Sequence, residues 1–217
     1  SSPERVHGSG LRDGYIDSMY DVMAMETGML KSVMAYVKEH CAEELAMLNA
    51  EVPEIKEIPT IRFHEAKQIM EEKFGHKSKN RYDLNPDEEV LLCQWAKEEH
   101  DSDFVFVTHF PSAKRPFYAK DDPEDPKLAL SFDLLFRGLE ITTGGQRIHD
   151  YQEQLDKMHA QGLDPEDFKY YLEAHKYGLP PHGGLGIGLE RLVMKLLGLS
   201  NVRQASMFPR DINRLLP

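Results

Sequence analysis

Two segments carry the residues best suited to chemistry: Arg137-Gly-Leu-Glu-Ile-Thr-Thr-Gly-Gly-Gln-Arg-Ile-His149 and Gly183-Gly-Leu-Gly-Ile-Gly-Leu-Glu-Arg-Leu192. The first sets Glu140, Thr143 and Arg147 around the flexible pair Gly144-Gly145. A carboxylate and a hydroxyl are hard oxygen donors, and Asp133 adds a second carboxylate. Paired acids beside a nucleotide commonly hold magnesium, which keeps positions free for phosphate oxygens and water. Positions 133 and 140 have opposite parity, so one unbroken strand would send their side chains to opposite faces; Gly138 offers the bend or bulge that brings them together. The plainer alternative pairs Asp133 with a nearby Arg and leaves Glu140 as a surface acid. Arg147 follows the double glycine, and its planar fork matches a carboxylate bidentately, although a salt bridge to Asp150 would also account for it.

In the second segment glycine alternates with aliphatic residues from Gly184 to Gly188. On a strand this gives one bare face, on which a flat ring can lie, and one apolar face. Leu189 stands where the third glycine of a GxGxxG fingerprint belongs and no Gly-Lys-Ser/Thr follows, so dinucleotide-fold and P-loop readings fail. Arg191 falls in the first turn of the helix that follows, where the helix dipole opposes a cation by roughly 0.3–1 kcal/mol. An anion beside it explains the placement; pairing with Glu190 or Asp133 is the alternative. Together the two segments describe a site for a nucleotide and a small acid.

The elements that must position these residues read as α+β. A helix is expected from about Ile16 to Leu48, with Gly28 as its possible break, because Met19, Val22, Met23, Met29, Leu30, Val33, Met34 and Val37 recur at helical spacing. A short strand at Ile61–Phe63 and a helix from His64 to Phe74 follow. Asn85 caps a helix that has Pro86 at its first position and runs to Glu99. After Asp103 the chain turns to β-formers, giving expected strands at 104–110, 116–119 and 128–136. Short connections between them favour antiparallel neighbours. Helices are expected over 150–161 and from the Asp164 cap to His175, then a final strand and helix. Residues 1–14 read as a disordered or artificially appended end, and the remainder as one domain with a largely helical insertion over about 53–102.

The bulk properties bound the function. The 217 residues carry 37 acidic and 26 basic side chains, a formal charge of −11, which disfavours a sequence-independent wrap of nucleic acid. The short basic interval from Lys73 to Arg81 reads as a solvated loop. No apolar run approaches the roughly 20 residues of a membrane span, and the two cysteines make neither a disulfide framework nor a zinc-ligand pair. A cytoplasmic protein without membrane contact is the expectation.

The segments Phe132–His149, Tyr177–Leu192 and Phe208-Pro-Arg-Asp211 resemble the C-terminal catalytic part of class II aminoacyl-tRNA synthetases, most closely archaeal-type aspartyl-tRNA synthetases, over about Tyr15 to Pro217. The second segment is similar to the third signature motif of that class. The resemblance implies part of an antiparallel sheet flanked by helices. It implies that Glu140 and Thr143 hold Mg2+ with the phosphates of ATP, that Asp133 is a further metal-side acid, and that Arg147 binds the aspartate side chain. Gly188, Leu189, Glu190 and Arg191 would meet ATP, with Arg191 at its terminal phosphate. The activity implied is ATP-dependent activation of L-aspartate and its transfer to tRNA, with Glu140 and Arg191 as the catalytic groups. The Gly-Gly-Gln-Arg form of the first segment favours aspartate over asparagine.

The family's anticodon-binding domain, its first motif, which builds a homodimer, and its second motif, whose arginine grips the α-phosphate, have no counterpart in this sequence. Phe136-Arg-Gly-Leu-Glu140 resembles the Phe-Arg-x-Glu core of that second motif with one residue too many. A fragment inactive alone, whose full-length parent binds tRNA and dimerises, is therefore expected. Two alternatives are a non-catalytic module that binds a nucleotide or amino acid, and a tRNA-independent ligase that amidates aspartate.

Overall fold

The computed structural model describes residues 8–207; the Phe208–Asp211 segment lies outside them. Six strands form one sheet in the order β1-β6-β5-β4-β3-β2: β1 (Gly8–Gly14), β2 (Thr60–Arg62), β3 (Phe104–Thr108), β4 (Ser131–Phe136), β5 (Leu139–Arg147) and β6 (His182–Gly188). All neighbours are antiparallel except β2 and β3. Seven α-helices are described: α1 (Met19–His40), α2 (Ala42–Met47), α3 (Phe63–Phe74), α4 (Pro86–His100), α5 (Tyr151–Ala160), α6 (Lys169–Lys176) and α7 (Leu189–Leu196). The expected α+β architecture is the one observed. Among the described residues no helix is long and apolar enough to cross a membrane.

The sheet's two faces carry separate cores. One face presents Phe104, Phe106, Phe132, Leu134, Phe136 and Ile187 to Met19, Val22, Leu30 and Met34 of α1. The other presents Val105, Val107 and Leu135 to Ala66 and Met70 of α3 and to Leu92, Cys93 and Ala96 of α4. The alternation is the period-two pattern of a strand covered on both sides. The 53–102 region supplies β2, α3 and α4, and the two helices pack on the second face.

Several boundaries differ from the sequence expectation. The supposed disordered end is a strand from Gly8 onward, hydrogen-bonded along its length to β6; ladder pairing, rather than β-propensity, orders this glycine-rich stretch. The first helix passes unbroken through Gly28 and ends instead at Cys41, whose φ of −121° and ψ of 28° leave the helical region. Residues 116–119 form a turn with one bridge, Ala119 to Arg147, rather than a strand. The helix expected from Asp164 to His175 is divided into a 3-10 turn over Pro165–Phe168 and α6, with Phe168 turned onto the Phe117 ring at 4.8 Å.

A buried acid ties α1 to the strand that carries the site. Glu26 is fully buried, accepts a hydrogen bond of 2.5 Å from the Thr142 hydroxyl, and leaves Oε2 without a hydrogen-bond partner among the described residues. Burial lifts its pKa from 4.5 to about 7, against the Thr142 bond that lowers it. The folded protein therefore holds this proton between pH 4.5 and about 7 while the unfolded chain releases it. The stability linked to Glu26 is fully present below pH 4.5 and lost as the pH rises through about 7, a loss on the order of 3 kcal/mol. Glu26→Gln is expected to flatten this slope, raising stability by roughly 1–3 kcal/mol at about pH 8 and by little at about pH 5. Urea unfolding at the two pH values measures it; an equal effect at both would remove Glu26 as the titrating group.

Candidate active site

The β4–β5 hairpin builds the charged end of the site. Its turn is Arg137-Gly138, both at positive φ (46° and 85°), the conformation of a tight primed turn. Asp133 and Glu140 thus lie on two strands rather than one. The register jumps from Leu134↔Thr142 to Leu135↔Glu140, bulging out Ile141, which is buried in the α1 core. The bulge corrects the parity problem: Asp133, Thr143 and Glu140 share one face. The Thr143 hydroxyl lies 3.0 Å from Asp133 Oδ1 and 3.1 Å from Glu140 Oε1. Arg137 does not point into this group; its guanidinium donates to the carbonyls of Glu51 and Lys195 and to Asp103.

Asp133 makes the ion pair with a nearby Arg that the plainer expectation names. It is 4% exposed, and both its oxygens take N–H bonds of 3.1 Å from Arg115. Burial raises its pKa while Arg115 and Thr143 work in the opposite direction. Glu140 is more open, and burial, followed by the charge of Asp133, pushes it up to about 7. Arg191 works in the opposite direction.

Arg191 sits in the first turn of α7, directly after β6. Neither Glu190 nor Asp133 is its partner. It donates to the Glu140 carbonyl at 2.9 Å and stands 3.7 Å from Glu140 Oε1, half-buried. A depression of about 250 Å3 lies between Glu140, Thr143, Gly186, Gly188 and Arg191. Leu189 is exposed.

The glycine alternation has the expected consequence. Gly10 of β1, Gly186 of β6 and Thr143 of β5 lie side by side across the sheet, as do Gly184 and Gly145. A Cβ added at Gly186 or Gly10 would meet no atom within 4 Å, so this floor is open. On the opposite face a Cβ at Gly144 would stand 2.6 Å from the Phe132 ring and 2.8 Å from Leu185. The floor belongs to a cleft of about 300 Å3, walled by Arg115, Pro116, Tyr118, Ala119 and Gln146 and ending at Arg147.

Arg147 lies with its guanidinium carbon 4.5 Å from the centre of the Tyr118 ring. No carboxylate among the described residues comes within 4.0 Å of its nitrogens. Asp150, the expected alternative partner, instead caps α5 through the Glu153 N–H at 2.8 Å. A cation lining a cleft, with no carboxylate partner among the described residues, has the chemistry to take an anion. The 115–120 wall is held from α5, where Gln154 donates to the Phe117 carbonyl and Lys120 pairs with Glu153.

The sequence reading missed Arg115, Tyr118, Gln146 and Gly10 as cleft residues. For Gly10 a signal existed: it continues the small-residue character that β6 shows. Glu89 of α4 was missed as well; it is 9% exposed, accepts the Glu140 N–H at 2.8 Å, and burial raises its pKa.

Comparison with known proteins identifies the framework. The family described as tRNA synthetases class II (D, K and N) matches residues 14–212. The chain belongs to this family. An aspartate–tRNA(Asp/Asn) ligase from Deinococcus radiodurans is 47% identical over 210 residues, covering 94% of the chain and 48% of the relative. One from Aeropyrum pernix is 43% identical over 213 residues, covering 97% and 48%. Among solved class II synthetases, the aspartyl-tRNA synthetase from Entamoeba histolytica superposes with a TM-score of 0.90 at 30% identity, covering all of this chain and 46% of that one. An asparaginyl-tRNA synthetase from Pyrococcus horikoshii, complexed with asparaginyl-adenylate, gives 0.87 at 33%, covering all of this chain and 51% of that one. The chain spans about half the length of the curated synthetases it matches.

Proposed function

We propose that the chain forms the amino-acid and ATP site of an aspartate–tRNA ligase, which activates L-aspartate as aspartyl-adenylate and transfers it to tRNA. The observation that carries this reading is Arg147, a guanidinium over the Tyr118 ring with no carboxylate partner among the described residues, lining a glycine-floored cleft. Its parallel N–H donors suit a carboxylate, which only accepts; an amide side chain would turn an NH2 group toward one of them. The relatives' names and the adenylate-bound neighbour point to the same chemistry.

In this reading the aspartate side chain lies at Arg147 and the planar parts of the adenylate lie over Gly184, Gly186 and Gly10. Arg191, at the other end, meets the terminal phosphate. The α-carboxylate of aspartate attacks the α-phosphorus of ATP, an acyl–phosphate bond forms as the bond to the bridging oxygen breaks, and pyrophosphate leaves with its electron pair. The hydroxyl at the tRNA terminus then displaces AMP from the aspartyl carbonyl. Alignment of the two substrates and neutralisation of phosphate charge do the catalytic work, and no side chain forms a covalent bond to substrate.

Magnesium fits the donors present. Glu140 and Thr143 offer hard oxygens 3.1 Å apart. Among the described residues no group of three or more acidic, His or Cys side chains is arranged to hold a metal alone. Few protein ligands, with the rest from phosphate and water, is the usual way magnesium is held beside a nucleotide. When bound it would neutralise phosphate charge; Glu140 and Thr143 would hold it, and Asp133 would fix Thr143. Glu140→Gln is expected to raise the magnesium concentration needed for half-maximal ATP–pyrophosphate exchange by about tenfold or more in the full-length protein. An unchanged requirement would take Glu140 out of the metal's ligand shell. The tRNA partner, the homodimer and a cytoplasmic location belong to this proposal for the whole protein.

A further inference from the structure

Glu140 is held in an unusual way. Its backbone N–H, next to the bulged Ile141, donates to Glu89 Oε2 at 2.8 Å, and its carbonyl accepts from Arg191 at 2.9 Å. Both main-chain polar atoms of the residue are therefore gripped by charged side chains. The bulge at Ile141 disrupts the ladder next to Glu140, whose own N–H has a side-chain acceptor. Glu89 supplies it from α4, 51 residues earlier in the chain and on the helical insertion.

The geometry points to a positioning role. We propose that Glu89 pins the β5 bulge and thereby keeps the Glu140 carboxylate on the cleft face beside Thr143. Without the bulge, residue 140 would return to regular alternation and its side chain would face away from Thr143. A slip of that kind exchanges the buried Ile141 for Glu140, so the carboxylate donor and the core residue are specified by one hydrogen bond. The 53–102 region thus does more than cover the sheet: the first turn of α4 fixes a ligand position on β5.

This inference rests on the reading that Glu140 holds the metal, and the test separates the two. Two variants of the full-length protein, Glu89→Ala and Glu89→Gln, are compared with wild type by two measurements. One is Mn2+ uptake in the presence of a non-hydrolysable ATP analogue, followed by water-proton relaxation. The other is hydrogen exchange at the Glu140 amide relative to amides of β3. The expected result is that Glu89→Ala weakens Mn2+ uptake by about 10- to 100-fold, as loss of a supporting bond around a metal ligand typically does. Exchange at Glu140 should accelerate selectively. Glu89→Gln keeps an oxygen acceptor and is expected to lie within about threefold of wild type in both. Wild-type uptake with an alanine variant that matches it would overturn the role of Glu89. So would a glutamine variant as impaired as alanine, since the charge and not the hydrogen bond would then matter. Wild-type protein that takes up no Mn2+ would instead sink the metal reading, even with Glu140 exchange still dependent on Glu89.

Discussion

Arg147→Ala is expected to raise the KM for aspartate by about two to three orders of magnitude while ATP is affected only a few-fold. Removing one partner of a desolvated, hydrogen-bonded charge pair costs about 2–5 kcal/mol, and about 1.4 kcal/mol is a factor of ten. Most of that cost falls on the ligand carboxylate, because the guanidinium has no protein carboxylate among the described residues to share. Arg147→Lys should recover a small part of it. An ammonium provides charge but neither the two parallel donors nor the flat surface that rests on Tyr118 at 4.5 Å. ATP should be spared because its proposed phosphate contacts, Arg191 and Glu140, lie around a second depression that shares only Thr143 and Gly186 with the cleft that ends at Arg147. Steady-state exchange kinetics with each substrate varied in turn decide the point; equal losses for aspartate and ATP would remove Arg147 as the carboxylate clamp.

The second large effect is expected at Gly186, where activity and stability should move apart. Gly186→Val places a branched side chain where a Cβ meets no protein atom within 4 Å, on the floor of the cleft. Adenylate binding should fall by at least about a hundredfold, because the space is the ligand's. The fold should be untouched or more stable by roughly 0.5–1 kcal/mol, since glycine in a strand costs entropy and valine suits a pleated surface. Gly144→Ala is the control of opposite sign: its added carbon would lie 2.6 Å from Phe132 and 2.8 Å from Leu185, and the core would have to move. Calorimetry with a non-hydrolysable aspartyl-adenylate analogue, paired with thermal unfolding, reads both quantities. A Gly186→Val protein that binds the analogue normally would show that the bare strand face is not the nucleotide platform.

Local periodicity makes part of this site legible in the amino-acid order itself. The bare face of β6 follows from alternation of glycine with Leu185 and Ile187, and the position of Arg191 follows from the strand-to-helix transition at Gly188. The Asp133–Glu140 parity conflict is visible there, as is Gly138 as the place to resolve it; the bulge at Ile141 is not, because it depends on which residue the α1 core selects. Arg115, Tyr118 and Glu89 reach the cleft through tertiary packing over long sequence separations, as in the 51-residue span of the Glu89–Glu140 bond. Residues of that kind leave no periodic trace. The β1 strand is hidden for a different reason: Gly8, Gly10 and Gly14 have poor strand propensity, and β6 imposes their conformation through the ladder.

Specificity decides whether the cleft has been read correctly, since both aspartyl- and asparaginyl-tRNA synthetases share this fold. The most direct test is amino-acid-dependent exchange of pyrophosphate into ATP by the full-length protein, run side by side with L-aspartate and L-asparagine. Exchange driven by aspartate, with asparagine at least about a hundredfold poorer in kcat/KM, is the predicted result. Exchange driven by asparagine in preference to aspartate, or by neither, would contradict the assignment of Arg147 as a carboxylate receptor and the proposed function with it.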